Sequence, residues 1–346
     1  MPIIRMKQAQ EKLPYYAPDR RRTDEVLGLP PSSASSWGST TWKRMRLCPR
    51  EHALYQIGLR PKRQKTALDI GLLYHHALEH YYKRMRGLQQ AAIARGVAPG
   101  ADDCHGAIRG DCERAAWDSL KAFEQEPGYQ ETYAKLEKLL ITYFEAYRYT
   151  HRWLVLAVEE TLSYDDGALR YTARLDLIVH DLDGDDLRIV EHKTSGVITD
   201  DLLLSYEMDL QILGQVWLLH NCVDLSALPR WGGVVVDIIT TRNKEPRTHR
   251  QFVSPSKYHT AAFEQSMREW LQVSELYQKL DWPKAFGACA GALRFFRTCN
   301  YYDLCHGHPN HSMREWLGEI QLRGVPYGFE LAGAPSASTD NEEGEE

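Results

Sequence analysis

No stretch of this chain approaches the run of about 18 apolar residues that a membrane-spanning helix needs, and the N-terminus lacks the apolar core of a secretory leader. The expectation is a cytoplasmic protein without membrane contacts. A large net charge is missing too. The formal balance is −5, so any contact with nucleic acid would have to be a local basic track. Residues 20–22, 43–50 and 60–65 supply such tracks, whereas the last residues are acidic. Cysteine is scarce and odd in number, seven in 346 residues, and the short Cys-x2-4-Cys hook of zinc modules is absent. Inside a cell these thiols point to metal or cluster ligation, or to burial, before disulfides. What is present is 43 % hydrophobic content, compatible with one large domain or two small ones.

Residues 1–35 are rich in charge, proline and serine and read as a flexible arm. From Ser39 a helical pattern runs past Cys48, with a break near Pro49. The next helix is expected to begin near Ala67, with Leu72, His75, Glu79 and Tyr82 on one stripe and His76 and His80 as an adjacent pair. That pair could bind zinc, but no Glu stands beside His76 as in metalloproteases. Residues 85–150 read as a helical insertion carrying Trp117, Leu120, Phe123, Leu136, Leu139, Leu140, Tyr143, Phe144 and Tyr147. Cys104 and Cys112, eight apart, match no usual zinc spacing.

A strand is expected from Trp153 to Val158, giving way at Glu159 and Glu160. Two apolar, β-branched runs, 175–179 and 187–190, then flank Asp183-Gly184, a strong hairpin signal. With those two as loop residues, Asp176 lies opposite Glu191, and Arg174 with Lys193 forms the next pair on the same face. Facing carboxylates repel unless a cation sits between them, and a hard divalent metal is the natural occupant. A lysine beside it can orient a water or neutralise a developing oxyanion. A solvated charged face is the alternative, but these charges interrupt strands apolar enough to be buried.

Residues 201–221 read as one helix on which Gln211 and Gln215 are four apart, either buried amides in need of partners or a surface-facing pair. Residues 231–241 form a continuous apolar run and hence a buried strand. From Phe252 a helix is expected through Phe263, Met267, Trp270, Leu271 and Leu276. Residues 283–306 hold Cys289, Cys299 and Cys305 among few aliphatic residues, which favours ligation over burial. Cys48, in Cys-Pro-Arg ahead of the histidine helix, is the natural fourth ligand. His306, His308 and His311 keep zinc open as an alternative. A short helix from Met313 and an acidic, disordered end, residues 336–346, complete the chain.

Asp176 followed after a turn by Glu191-His192-Lys193 resembles the core of the PD-(D/E)XK nuclease superfamily. Gly71 with His75 resembles the Gly-x-x-x-His of its RecB-like branch and selects His75 over His76 as a ligand. Gln211 matches the Gln of that branch's Gln-x-x-x-Tyr, and Gln215 replaces the tyrosine. One cysteine before the core and three after it, the last two with five residues between, resemble the iron-sulfur members. The nine residues between Cys289 and Cys299 depart from the common spacing, as in phage-type members. The resemblance implies an α/β, restriction-endonuclease-like core over residues 36–310, with a central mixed sheet flanked by helices. It further implies the helical insertion at about 85–150, an iron-sulfur clasp at 283–306, and residues 311–346 as a short helix and tail. Mg2+ or Mn2+ would be held by His75, Asp176, Glu191 and the His192 carbonyl. Lys193 would position the water, and Gln211 would steady the site. Cys48, Cys289, Cys299 and Cys305 would hold a [4Fe-4S] cluster, closing a loop of more than 200 residues and stabilising the fold by about 5 kcal/mol. The implied activity is exonucleolytic hydrolysis of DNA from a free or single-stranded end, in repair or recombination, with a helicase or recombination partner, in a bacterial or phage-infected cell. Basic residues at 43–50 and 60–65 would meet phosphates, and Phe295, Phe296, Tyr301 and Tyr302 would stack bases or pack the core. Two other classes compete: a non-cutting DNA-end binder on the same fold, and a zinc-stabilised scaffold.

Overall fold

The computed structural model describes residues 5–6, 38–61, 70–101, 105–126, 128–147, 152–166, 168–285, 288–289, 298–307 and 311–331. In chain order its elements are β1 (Arg5–Met6), α1 (Ser39–Leu47), α2 (Pro49–Gln56), β2 (Leu59–Pro61), α3 (Ile70–Ala94), α4 (Arg109–Leu120) and α5 (Tyr129–Tyr147). There follow β3 (Trp153–Asp165), β4 (Arg170–Asp181), β5 (Asp186–Ser195), α6 (Asp200–Ser205), α7 (Leu210–Cys222), β6 (Val223–Asp224), β7 (Arg230–Thr240) and β8 (Thr248–Val253). The chain ends in α8 (Lys257–Lys279), α9 (Tyr302–Gly307), α10 (Met313–Arg323) and β9 (Phe329–Leu331). Contacts divide it into two units, residues 1–14 with 64–268 and residues 15–63 with 269–346.

In the first unit the unbroken apolar run of β7 takes the place such runs favour, between two neighbours in a sheet. The order is β3-β4-β5-β7-β8, with β5 and β7 parallel and the other pairs antiparallel, so the sheet is mixed as expected. A parallel neighbour needs a crossover, and α6 and α7 form it. Asp209, extended at φ −70° and ψ 129°, separates these two helices and caps α7 by accepting from the Gln211 amide at 2.7 Å. The single helix expected over 201–221 is therefore two. No Cβ could be added at Gly214 without running into the Tyr171 phenol, so α7 lies directly on β4.

On the other side α3 buries Leu73, Tyr74, Ala77, Leu78, Tyr81, Tyr82 and Met85. Burial of each large side chain contributes about 1.5–3 kcal/mol. The expected stripe is thus turned by a residue. The leucines and tyrosines of this face hide more apolar area than Leu72, which is exposed, and His75 and Glu79 lie at the margin. Residues 85–94 complete α3. Helices α4 and α5 close over the same core through Cys112, Ala116, Leu120, Leu136, Leu139, Leu140, Tyr143 and Phe144. Buried Gln89 of α3 hydrogen-bonds the Trp153 carbonyl (2.8 Å) and the Val155 amide (2.9 Å), satisfying the outer edge of β3 beside a bulge at Val155/Ala157. Phe252 belongs to β8 and is exposed; the helix starts at Lys257, where Phe263 and Met267 are buried.

The second unit joins early and late segments of the chain. Cys48 is extended (φ −154°, ψ 110°) between α1 and α2, because a residue before proline avoids the helical region and Pro49 suits the first helical position. Strand β2 pairs antiparallel with β9. Ala53, Leu54, Ile57 and Leu59 pack with Cys299, Tyr301, Leu304, Met313, Trp316, Ile320 and Phe329. Helix α10 starts in a capping box of Ser312 and Glu315. Among the described residues no helix is long and apolar enough to cross a membrane. The arm apart from Arg5–Met6, basic residues 20–22 and 62–65, Cys104, Phe295, Phe296, His308 and the acidic end lie outside the described residues.

Candidate active site

The β4–β5 hairpin has the expected register. Asp181 pairs with Asp186 and the ladder continues to Leu177↔Val190. The turn is longer than a two-residue loop: residues 182–185 form it, and the left-handed residue is Asp185 (φ 49°), not Gly184. Both loops share one centre, which is why the register is the same. The ladder's last pair is Leu177↔Val190, one short of Asp176 and Glu191. From there β4 stays with β3, and β5 stays with β7 as far as Ser195↔Thr240. The Asp176 carboxylate accepts the His192 amide at 2.8 Å where the strands part. Arg174 does not pair with Lys193; it reaches Glu159 at 2.6 Å.

Around Asp176 the site is dense in charge. Its Oδ2 lies 3.4 Å from His75 Nδ1 and 3.6 Å from His192 Nδ1. Glu159 sits across from it in the β3–β4 register, between Val158↔Leu177 and Glu160↔Leu175, in a left-handed conformation (φ 52°) that costs a non-glycine residue about 1–3 kcal/mol. One ligand atom from each of His75, Glu159 and Asp176 falls within 4.8 Å of the others. Burial, then the neighbouring Asp176 charge, pushes Glu159 up to about 7. Burial and Asp176 also raise Glu191. Burial opposes the charge of Asp176, but the His192 hydrogen bonds and the His75 and His192 rings outweigh it and hold the carboxyl at about 2. Burial lowers His75, with Asp176 pulling the other way.

Glu191 is almost fully buried and anchors the other half of the site. Lys193 Nζ lies 2.5 Å from its Oε1 and 2.9 Å from Gln211 Oε1. Gln211 donates to the same Glu191 oxygen at 2.6 Å, and Gln215 donates to Oε2 at 2.7 Å. Burial disfavours the Lys193 charge, yet Glu191 more than compensates, so Lys193 is held above its ordinary value as an ammonium. Gln215 is fully buried, which disposes of the surface-facing pair. The expected residues His75, Asp176, Glu191, His192, Lys193 and Gln211 therefore come together. Two more join them. Gln215 was visible as a candidate, while Glu159 showed only as a charge ending an apolar run.

A family model of the PD-(D/E)XK nuclease superfamily matches residues 37–306. The chain belongs to this superfamily. No relative among curated proteins matches the nuclease. Among solved structures it is similar to the "Putative exonuclease" of Eubacterium rectale, 10 % identical over 80 % of this chain and 88 % of that one, with a TM-score of 0.42. The crystal structure of SSO0001 is 11 % identical over 72 % of the nuclease and 82 % of its own chain, with a TM-score of 0.28. The family and the five-stranded mixed sheet agree with a restriction-endonuclease-like core.

The four singled-out cysteines of the nuclease all lie in its second unit. Cys48 and Cys299 are buried, and Cys289 and Cys305 half-buried. The Cys299 amide donates to the Cys289 carbonyl at 2.8 Å. Burial pushes the Cys305 thiol up to about 11; Lys284 and Arg50 lower it, and Cys48 and Cys289 are near enough to raise it. Of the basic track, Arg50 is buried, bonding the carbonyls of Trp282, Asp281 and His311 at 2.8–3.0 Å. The Arg44 and Arg60 guanidinium groups lie over the Tyr55 ring. Lys43 and Arg46 are the exposed members at 43–50. Tyr301 is buried against Phe329 and donates to the Leu59 carbonyl, so it is a core residue and not a base-stacking one.

Proposed function

We propose that this nuclease is a Mg2+- or Mn2+-dependent DNA exonuclease that acts on free or single-stranded ends in repair or recombination. The observation that carries the reading is the donor set of His75, Glu159 and Asp176 beside Lys193. Ligand atoms on one octahedral cation at about 2.1 Å lie about 3–4.2 Å apart; His75 Nδ1 and Asp176 Oδ2, 3.4 Å apart, meet that spacing, and Glu159 brings a ligand atom within 4.8 Å of those two residues'. The carboxyls of Glu159 and Glu191, raised by burial and by Asp176, make a divalent cation the natural counter-charge. His75, Asp176 and Glu159 would hold it, with Glu191 and the His192 carbonyl alongside. When bound it supplies Lewis acidity toward the phosphate and a more acidic water. Lys193, kept as an ammonium by Glu191 and oriented by Gln211, directs the attacking water and stabilises charge on the phosphoryl oxygens. Gln215 fixes Glu191 from the opposite side. Its own Oε1 is buried without a partner among the described residues, an acceptor that suits a site water.

For the second unit we propose a [4Fe-4S] cluster on Cys48, Cys289, Cys299 and Cys305. Cys48 and Cys289 are near enough to Cys305 to raise its thiol, and the Cys299 amide donates to the Cys289 carbonyl at 2.8 Å, so the four cysteines lie in one neighbourhood. When bound, the cluster ties the early segment to the late one.

Cleavage of linear and circular, single- and double-stranded DNA with Mn2+, Mg2+ or chelator tests the nuclease reading. Loss of linear-DNA degradation in Asp176→Ala and Lys193→Ala supports it, and undiminished activity in both variants rejects it. Anaerobically purified protein should be brown with absorbance at about 400 nm; colourless protein carrying stoichiometric zinc rejects the cluster.

A further inference from the structure

One buried polar group touches the site without belonging to it. Tyr143, from α5, places its hydroxyl 3.1 Å from His192 Nε2, 2.7 Å from the Tyr82 hydroxyl and 3.3 Å from Asp237 Oδ2. All four residues are buried. His192 and Asp237 are register partners on β5 and β7, so their side chains stand side by side on one face of the sheet. Arg250 occupies both oxygens of Asp237, at 2.6 and 2.7 Å.

The arrangement has a hydrogen-bond direction. Asp176 as a carboxylate only accepts, and His192 Nδ1 faces its Oδ2 at 3.6 Å, so the tautomer with the proton on Nδ1 is the favourable one. In the neutral ring Nε2 is then an acceptor and needs a donor. Tyr143 is within reach to provide one, Tyr82 can donate to the Tyr143 oxygen in turn, and Arg250 already satisfies Asp237, the rival acceptor. We propose that Tyr143 is a positioning residue: by donating to His192 Nε2 it fixes the tautomer whose Nδ1–H faces Asp176 and so orients that carboxylate for the cation. The inference rests on the metal-dependent reading above. It gives α5, which lies far from the Asp176 and Glu191 strands in sequence, a part in the chemistry.

The test is Mn2+ binding to the cation-free, full-length protein by calorimetry, with cleavage as a second readout. Loss of an outer partner of this kind weakens metal binding about 10–100-fold. Tyr143→Phe should bind Mn2+ at least tenfold more weakly, and its cleavage should recover toward the native rate at high Mn2+. Tyr82→Phe, which removes only the outer link, should change binding less than threefold. His192→Phe should behave like Tyr143→Phe, while His192→Asn, whose amide can donate from the place of Nδ1, should recover most of the affinity. Binding by Tyr143→Phe within twofold of native overturns the proposal. So do equal affinities of the His192→Asn and His192→Phe variants, a comparison that holds even if Tyr143→Phe does not fold. Native protein that binds Mn2+ through Asp176 yet leaves DNA intact would sink the nuclease reading and spare this one; no Asp176-dependent Mn2+ binding would sink this one.

Discussion

Replacing Arg250 by methionine should expose how much the sheet depends on one buried ion pair. Asp237 is 1 % exposed, and Arg250 grips it through two bonds while its guanidinium lies over the rings of Tyr147 (4.1 Å) and Trp153 (4.6 Å). Methionine keeps much of the stem packing between those rings and removes the charge. Stranding one member of a buried pair costs about 3–5 kcal/mol. The expected loss is therefore about 3–5 kcal/mol, read from urea denaturation. Arg250→Met with Asp237→Asn should regain most of the loss, since no charge is left buried. Weaker Mn2+ binding should accompany the single variant, because an unpaired Asp237 competes with His192 for the Tyr143 proton. A loss under 1 kcal/mol, or a double variant no more stable than the single one, would refute this account.

Gly214→Ala should force α7 off Tyr171, costing about 1–3 kcal/mol by overpacking; because Gln211 and Gln215 ride on that helix, cleavage should fall with it, and full activity would show that the helix can shift freely. Gln215→Leu should cost about 1–3 kcal/mol by leaving the buried Glu191 Oε2 without its donor, a larger loss in urea denaturation than Gln211→Leu, since Gln211 is only half-buried. Arg50→Met strips the partner from three carbonyls and should destabilise the protein by about 2–4 kcal/mol. The salt dependence of DNA binding should not change in that variant, since a buried Arg50 displaces no phosphate counterions; a shallower salt slope by anisotropy would make Arg50 a DNA contact after all.

Much of the fold was legible where a single periodic signal decides it. The hairpin register followed from the centre of the turn, and the apolar run of β7 announced an inner strand. What could not be read was where a ladder stops. Leu177 and Val190 pair while Asp176 and Glu191 do not, because Asp176 takes the His192 amide with its side chain, a competition invisible to strand periodicity. The break between α6 and α7 was equally hidden, since Asp209 is an unremarkable residue until its carboxylate caps the Gln211 amide. Glu159 gave the weakest signal of the site. Its role depends on a left-handed backbone and a bulge three residues earlier, neither of which leaves a mark in residue types. The role of Tyr143 was masked for a different reason: it obeys the helical period of α5 and reads as core, which it also is.

The parting of β4 from β5 explains why the site residues have the types they do. Two strands that separate inside a protein release backbone groups that must find other partners. Here the His192 amide goes to the Asp176 carboxylate, and the Arg174 carbonyl takes Gln215 Nε2 at 3.3 Å, the same nitrogen that holds Glu191. The side chains that complete the backbone are thus the ones that build the proposed cation site or brace it. An apolar residue at 176 or 215 would leave both a main-chain group and a catalytic partner unsatisfied. On the proposed reading Asp176 and Gln215 serve the backbone and the chemistry together, whereas Lys193, on the half of β5 still paired with β7, contributes to the fold as the partner of buried Glu191. Variants should separate accordingly: Lys193→Ala and Asp176→Ala should both lose cleavage and stability in urea, but adding Glu191→Gln to Lys193→Ala, which removes the stranded charge, should regain stability, whereas adding it to Asp176→Ala should not. Recovery of both variants by Glu191→Gln would mean that the parted strands do not depend on the site for their hydrogen bonds.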